Sequence, residues 1–300
     1  MELRTLRYFL AVVREETISG AAEALHVTQP TLSRQLSELE QRLGKTLFIR
    51  GSRKISLTED GIFLHRRAQE IVDLADKTEA DLAVSDEVIS GEVSIGGGET
   101  HIMRLIAQTV EALVPEYPHV HYHLYSGNAE DVMERLDKGL LDFGLLIGSV
   151  DVKKYELLRL PSVDTWGLLA RKDSGMAAYP SIRPEDMAGL PLLASSQALL
   201  RGELSGWLGD DFRKLNIVAT YNLIYNAALM VEEGVGYALS LDKLINTSGD
   251  SPLCFIPLEP RLDAPVHFVW KKYQVFSKAA KLFLRQFQQT IRNAAGEDRQ

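Results

Sequence analysis

The hydrophobic pattern of this 300-residue chain changes its period once, near residue 91. Before that point, apolar residues recur every three or four positions, which is typical of amphipathic helices. Beyond it, short apolar runs alternate with helical segments, which predicts parallel strands connected by helices. The pattern therefore divides the chain into a helical beginning and a longer α/β part.

Three helices are predicted within the first 43 residues. Thr17 can cap a short helix of small residues, and Thr28 can cap a third helix whose first turn contains Pro30. The apolar face of the first helix consists of Leu3, Leu6, Leu10 and Val13. The apolar face of the third helix consists of Leu32, Leu36, Leu39 and Leu43, and Gly44 follows where a helix ends.

The start of the third helix carries a polar face with Gln29, Thr31 and Arg34. A short helix, a tight turn and a longer helix form a helix-turn-helix, whose second helix enters the major groove of DNA. Gln pairs with adenine, Arg with guanine, and the Thr methyl group contacts thymine, so these side chains suit base recognition. The alternative is a three-helix bundle with a solvated polar face.

A basic hairpin is predicted directly after this helix. Residues 46–50 and 53–57 alternate as strands around the turn Gly51-Ser52, and residues 41–58 hold five basic residues and no acidic one. Arg50, Arg53 and Lys54 surround the tip and suit phosphates or the minor groove. The alternative is a basic hairpin that only improves solubility.

The charge of the chain is distributed unevenly. Its net charge is -8, yet residues 1–70 hold 11 Lys and Arg against 9 Asp and Glu. Local charge decides what a domain can bind, so the average does not exclude nucleic acid. The charged N-terminus and the lack of a long apolar run argue against a signal peptide or a membrane span. We therefore expect a cytoplasmic protein without membrane contact.

A continuous series of short runs covers the first sixty residues: 7–9, 21–22, 25–30, 32–35, 39–40, 43–44, 47–48 and 57–58. This series resembles the N-terminal signature of LysR-type transcriptional regulators, with Gly20 as a mild departure. The resemblance implies a winged helix-turn-helix domain over residues 1–58 that binds double-stranded DNA as a dimer. The candidate DNA-binding residues are Thr28, Gln29, Pro30, Thr31, Ser33, Arg34, Arg50, Arg53 and Lys54.

A long helix is predicted after Thr58, with Glu59 and Asp60 favouring its first turn. Its heptad seam consists of Leu64, Ala68, Ile71, Ala75, Thr78 and Leu82. The alternative is a helix packed on its own domain. In LysR-type proteins this helix resembles the dimerisation linker, which we assign to residues 59–90.

Residues 91–300 predict an α/β fold with two β-α-β series, whose ligands are expected at the carboxyl ends of the strands. Tyr117-Pro118, Leu141-Asp142 and residues 233–236 resemble the two-lobed, periplasmic-binding-protein-like effector domain of the same family. The resemblance places lobe I at about 91–163 and 268–300, and lobe II at about 164–267. It also implies a cleft between the lobes.

Three turns are expected to border that cleft. Their candidate effector-binding residues are Glu99, Thr100, His101, Gly127, Asn128, Ser195 and Ser196, with Arg201 and Thr220 nearby. Helix starts and small hydroxyls receive anions. The resemblance implies that the anion is a carboxylate, so a small organic acid is expected. The charge of Glu99 would instead repel an anion or attract an amine, so an amino acid or other zwitterion fits both features. The resemblance, not the spacing, implies that the turns converge.

Other function classes have weaker support. His119, His121 and His123 share a strand face and would suit a metal-responsive regulator, although this strand offers no carboxylate or Cys to complete the ligand set. Cys254 lacks a resolving thiol for redox sensing. Nucleotide binding is excluded because neither phosphate-loop motif follows residues 96–98. A solute-binding protein would leave the helix-turn-helix unused, and no nucleophile motif indicates an enzyme.

The sequence therefore predicts a LysR-type transcription regulator that responds to a small molecule and needs no cofactor. An effector-independent regulator of the same fold remains an alternative. The expected partners are DNA, the effector, RNA polymerase at the promoter, and further copies of the chain in a homodimer or homotetramer.

Overall fold

The computed structural model describes residues 1–51, 54–83, 88–148, 150–151, 153–201 and 203–297. The chain forms two compact units, residues 1–83 and 84–300. No helix within the described ranges is long and apolar enough to cross a membrane.

The N-terminal unit consists of four helices and one hairpin. These elements are α1 (Leu3–Glu15), α2 (Ile18–Ala24), α3 (Gln29–Leu43), β1 (Phe48–Arg50), β2 (Ile55–Leu57) and α4 (Glu59–Ala83). The predicted caps are confirmed: the hydroxyls of Thr17, Thr28 and Thr58 accept hydrogen bonds from backbone amides three residues ahead, at 3.1, 3.4 and 3.0 Å. Local sequence therefore sets the start of each of these helices.

The core of the N-terminal unit surrounds Phe9, which is fully buried and lies 5.2 Å from Phe48, ring centre to ring centre. Leu32, Leu36 and Leu39 of α3 are buried as predicted. The prediction for Leu43 is wrong, because this last residue of α3 is 40% exposed.

The helix α4 packs on its own unit along the first part of its length. Leu64, Ala68 and Val72 are buried in the N-terminal core, so the heptad seam predicted from the sequence is wrong at Leu64 and Ala68. The close approach begins at Gly61, where a Cβ atom would lie 2.2 Å from the carbonyl oxygen of Leu47. A separate stripe of α4, which we call the α4 stripe, is exposed and consists of Phe63, Ile71, Leu74 and Leu82.

The C-terminal unit contains two β-sheets. The strands of the first are β3 (Gly91–Gly97), β4 (Val120–Ser126), β5 (Phe143–Ile147), β6 (Tyr155–Arg159) and β13 (Val266–Lys271). The strands of the second are β7 (Asp164–Arg171), β8 (Pro191–Ser195), β9 (Asn216–Tyr221), β10 (Tyr237–Leu241), β11 (Leu253–Pro257) and β12 (Asp263–Ala264). Its α-helices are α5 (Met103–Leu113), α6 (Ala129–Asp137), α7 (Ser196–Arg201), α8 (Glu203–Leu208), α9 (Ile224–Glu232) and α10 (Lys278–Glu297).

Both sheets are mixed. The first has the order β4-β3-β5-β13-β6, with β3 parallel to β4 and β5, and β13 antiparallel to its neighbours. The second has the order β11-β7-β10-β8-β9, with β12 beside β7. The chain passes from the first sheet to the second before β7 and returns after β12. The two parallel series predicted from the sequence are confirmed in β4-β3-β5 and in β10-β8-β9. An antiparallel strand completes each sheet: β13, beside β5, in the first and β7, beside β10, in the second.

Aromatic residues dominate the core of the first sheet, where Phe143, Phe268, Phe283 and Phe287 are fully buried.

One predicted helix of the second lobe is interrupted. The segment near 202–214 consists of α8 followed by a 3-10 helix that starts at Gly209, whose φ of +55° favours glycine.

Candidate functional site

The first turn of α3 presents an exposed polar surface. Its hydroxyls are ordered by a 2.8 Å hydrogen bond between the Oγ1 atoms of Thr28 and Thr31. Ser33 is half-buried, and the exposed candidates are Thr28, Gln29, Pro30, Thr31 and Arg34. The buried leucines on the other side of α3 fix this face outward, so the polar turn can approach a partner surface without unfolding the core.

Arg34 lies over the next turn of α3. Its Nε atom is 3.8 Å from Oε1 of Glu38, and Gln35 donates a 3.0 Å hydrogen bond to the same carboxylate. The side chain of Arg34 is 71% exposed, and ion pairs of this kind contribute little stability. Arg34 can therefore exchange Glu38 for a base edge or a phosphate at small cost.

The hairpin is anchored to the helices by two glutamates. Oε1 of Glu40 accepts the amides of Leu47 and Phe48 at 2.6 and 3.3 Å. The carbonyl of Glu16 accepts the amide of Ile55 at 2.8 Å, and its carboxylate pairs with Lys54. Neither role could be predicted from the sequence, because both depend on contacts between distant positions.

The three basic DNA-binding candidates belong to the hairpin segment. Lys54 is exposed but ion-paired with Glu16. Arg53 lies outside the described residues, as does the side chain of Arg50.

A cavity lies between the two sheets of the C-terminal unit, and its empty space, counted together with the open solvent at its mouth, is about 580 Å³. We call it the inter-lobe cavity. Four of the predicted effector residues line it: Glu99, Gly127, Asn128 and Ser195. Its other walls are formed by Gly98, Ile147, Trp166, Gln197, Ala198, Tyr221, Asn222, Ile224, Ser240, Leu241 and Leu244.

Glu99 connects the two lobes across this cavity. Its carboxylate accepts a hydrogen bond from the backbone amide of Ile224, the first residue of α9. The amide at a helix start has no partner within the helix and favours negative charge, so Glu99 satisfies it from the other lobe. Burial, together with the charge of Glu99, raises the pKa of Tyr221, whose hydroxyl donates to the carbonyl of Leu239. Tyr221 therefore stays neutral.

Two hydrogen-bond donors of the cavity wall have no acceptor among the described residues. They are Nε1 of Trp166 and Nε2 of Gln197, and both atoms are buried. Trp166 is only 5% exposed. Its backbone amide donates a 2.9 Å hydrogen bond to the carbonyl oxygen of Leu262. Buried donors in proteins are nearly always paired, so these two are available to an acceptor bound in the cavity.

Thr100 and His101 face a second, more open cavity of about 1130 Å³ of empty space, which Arg104 and Lys243 also line. Thr100 is buried, and its hydroxyl accepts the amide of Ile102 at 3.1 Å. Burial raises the pKa of the neighbouring Asp164, while the Thr100 hydroxyl and the charge of His101 oppose this rise.

Two further effector candidates lie outside both cavity walls. Ser196 and Thr220 are exposed and line neither cavity. Exposure alternates along β9, so Thr220 points away while Tyr221 points inward. The side chain of Arg201 lies outside the described residues.

The histidines and the cysteine offer little additional chemistry. His121 and His123 are exposed on the edge strand β4, and His123 lies 3.4 Å from Glu92 of β3. Across the described ranges, no three His, Cys, Asp or Glu side chains are grouped as a metal site. Burial raises the pKa of the half-buried Cys254 thiol, which makes the thiolate scarcer.

Comparison with protein families matches residues 3–62 to the bacterial regulatory helix-turn-helix protein, lysR family, and residues 86–292 to the LysR substrate binding domain. The chain is similar to the uncharacterized HTH-type transcriptional regulator YnfL of Escherichia coli (strain K12), at 33% identity over 94% of this chain and 96% of that protein. It is 30% identical to the uncharacterized HTH-type transcriptional regulator YybE of Bacillus subtilis (strain 168), over 94% and 97% of the two chains.

Among solved structures, full-length CbnR complexed with its target DNA has a TM-score of 0.73 at 19% identity. The alignment covers 97% of this chain and 100% of that one, and at this identity the likeness bears on the fold alone.

Proposed function

The chain belongs to the LysR family of bacterial transcriptional regulators, which bind DNA and small-molecule effectors and are not enzymes, and from that premise we propose that it is a sequence-specific regulator whose DNA binding responds to a small organic acid or amino acid. The observation that carries the DNA-binding part is the exposed first turn of α3, fixed by its hydroxyl pair above a buried leucine face. Gln29, Thr31 and Arg34 contact base edges in this proposal. Lys54, with Arg50 and Arg53, contacts the phosphate backbone.

A binding experiment tests the DNA-binding part. We expect the full-length chain to select a pseudo-palindromic sequence from a random pool, because two copies must contact half-sites one helical turn apart. The logarithm of its affinity should fall linearly with the logarithm of salt concentration, by about 0.9 for each phosphate neutralised. Selection of no preferred sequence, or an affinity insensitive to salt, would contradict this part of the proposal.

The effector part is supported by the inter-lobe cavity and its two unpaired donors. We assign residues 1–58 to DNA binding, 59–90 to the linker, and 91–300 to effector binding, with the two sheets as lobes I and II. Binding in the cavity changes how closely the lobes approach, and this changes the geometry of the dimer and the bend of the DNA.

The proposed assembly is a homodimer or homotetramer in the cytoplasm, acting at promoters where RNA polymerase is a further partner. The α4 stripe supports one contact between copies. Tyr225 and Leu229 of α9, 65% and 44% exposed, offer a second apolar surface, as a tetramer requires. Light scattering of the full-length chain distinguishes the two states.

A further inference from the structure

We propose that the inter-lobe cavity is built for an α-amino acid with an apolar side chain, in which Glu99 receives the ammonium group and Trp166 and Gln197 donate to the carboxylate. The inference rests on the proposed function, since it names the chemical class of the effector. It chooses between the two classes that the family assignment leaves open.

The wall of the inter-lobe cavity is negatively charged. Glu99 is the only charged side chain among the described lining residues, which include no Lys, Arg or His. Glu99 also borders the second cavity, whose wall contains His101, Arg104 and Lys243. Within the inter-lobe cavity itself, a ligand whose only charge is a carboxylate would meet Glu99 without a cation of the wall to offset the repulsion. A ligand that also carries an ammonium group brings its own counter-charge to Glu99.

The Glu99 carboxylate can accept further hydrogen bonds. Its Oε2 atom accepts one hydrogen bond, from the amide of Ile224. A carboxylate offers about four acceptor positions, so Glu99 can keep this bond between the lobes and still accept an ammonium group. The ligand therefore adds to the connection between the lobes and does not have to displace it.

The cavity wall also contains two buried hydrogen-bond donors. Trp166 is 5% exposed, and neither its Nε1 atom nor Nε2 of Gln197 has an acceptor among the described residues. Both side chains line the same cavity as Glu99. A carboxylate supplies acceptors for both, which an amine without an acid group cannot do.

Part of the cavity wall is apolar. Ile147, Ile224, Leu241 and Leu244 line the cavity together with the Trp166 ring. These residues can enclose an aliphatic or aromatic side chain but offer no partner to a charged one. The site therefore favours amino acids such as leucine or phenylalanine over charged amino acids.

Calorimetry on the full-length chain with matched ligands tests the inference. One set is L-leucine, 4-methylpentanoate and 3-methylbutylamine, and the other is L-phenylalanine, 3-phenylpropanoate and 2-phenylethylamine. We expect the amino acid of at least one set to bind at least about tenfold more tightly than both truncated relatives, since each lacks one charged hydrogen-bonding group.

Two variants test which cavity side chain binds the ammonium group of the ligand and which binds its carboxylate. Glu99→Gln keeps an oxygen for the Ile224 amide but removes the charge, so the amino acid should lose at least about tenfold in affinity while the truncated acid should not. Trp166→Phe should weaken both acids and leave the amine unchanged. Glu111→Gln, on the exposed side of α5, is the matched control and should alter none of the affinities.

The outcomes separate this inference from the proposed function. A truncated acid that binds as tightly as the amino acid, or a preference unchanged in Glu99→Gln, overturns the inference while an effector remains. Binding of no member of either set, with sequence-selective DNA binding intact, overturns it as well. A chain that binds the amino acid but selects no DNA sequence contradicts the proposed function and leaves the ligand assignment standing.

Discussion

Replacement of Phe143 by alanine is expected to lower the free energy of unfolding of the C-terminal unit by about 3–5 kcal/mol. Phe143 is fully buried, with its ring centre 5.0 Å from those of Phe268 and Phe276 and 5.5 Å from that of Phe283. Truncation removes these contacts and leaves a cavity that the surrounding rings, held by strands and by α10, fill only in part.

Urea unfolding followed by tryptophan fluorescence measures this loss. The three tryptophans, Trp166, Trp207 and Trp270, all lie in the C-terminal unit, so their signal is specific to it. Tyr273→Ala is the control, because Tyr273 is 98% exposed and its truncation should change stability by less than about 0.5 kcal/mol. A loss below about 1 kcal/mol for Phe143→Ala would contradict the packing described here.

The second large effect is expected at the DNA interface. Arg34→Ala should weaken binding to the selected DNA site by about 1–3 kcal/mol while changing binding to unrelated DNA much less. The reason is that an arginine on a base edge contributes to discrimination, whereas one on a phosphate contributes equally to every sequence. Competition binding with selected and scrambled duplexes measures both affinities.

Arg42→Ala provides the matched control for Arg34. It removes the same charge from an exposed position of the same helix, about 12 Å further along its axis. We expect Arg42→Ala to leave the ratio between selected and scrambled DNA unchanged. If Arg34→Ala also leaves that ratio unchanged, the assignment of α3 as the recognition helix is wrong.

The features that could be predicted from sequence are those set by local interactions. The caps at Thr17, Thr28 and Thr58 each depend on residues three positions apart, so the sequence alone locates these helix starts. The leucine spacing of α3 likewise identifies its buried face, except at Leu43, where the helix ends.

The features that escaped prediction depend on which distant segments meet. The apolar pattern of α4 suits either a partner chain or its own core, and only the packing of α4 on the N-terminal unit, chiefly on α1, decides that Leu64 and Ala68 are buried. Glu99 was identified as an unusual charge, but its bond to Ile224 joins positions 125 residues apart. Trp166 carries no local signal of a binding role, because a strand start of this kind is equally compatible with a core position.

We propose that this chain couples a ligand in the inter-lobe cavity to DNA binding, and a linkage measurement tests this coupling. The affinity for the selected DNA is measured with and without the amino acid that binds the cavity, and the affinity for that amino acid with and without the DNA. We predict that each changes the affinity of the other by the same factor, and that Trp166→Phe weakens ligand binding without affecting DNA binding in its absence. A ligand that saturates the cavity while leaving both the affinity for the DNA and the bend of the DNA unchanged would contradict this coupling.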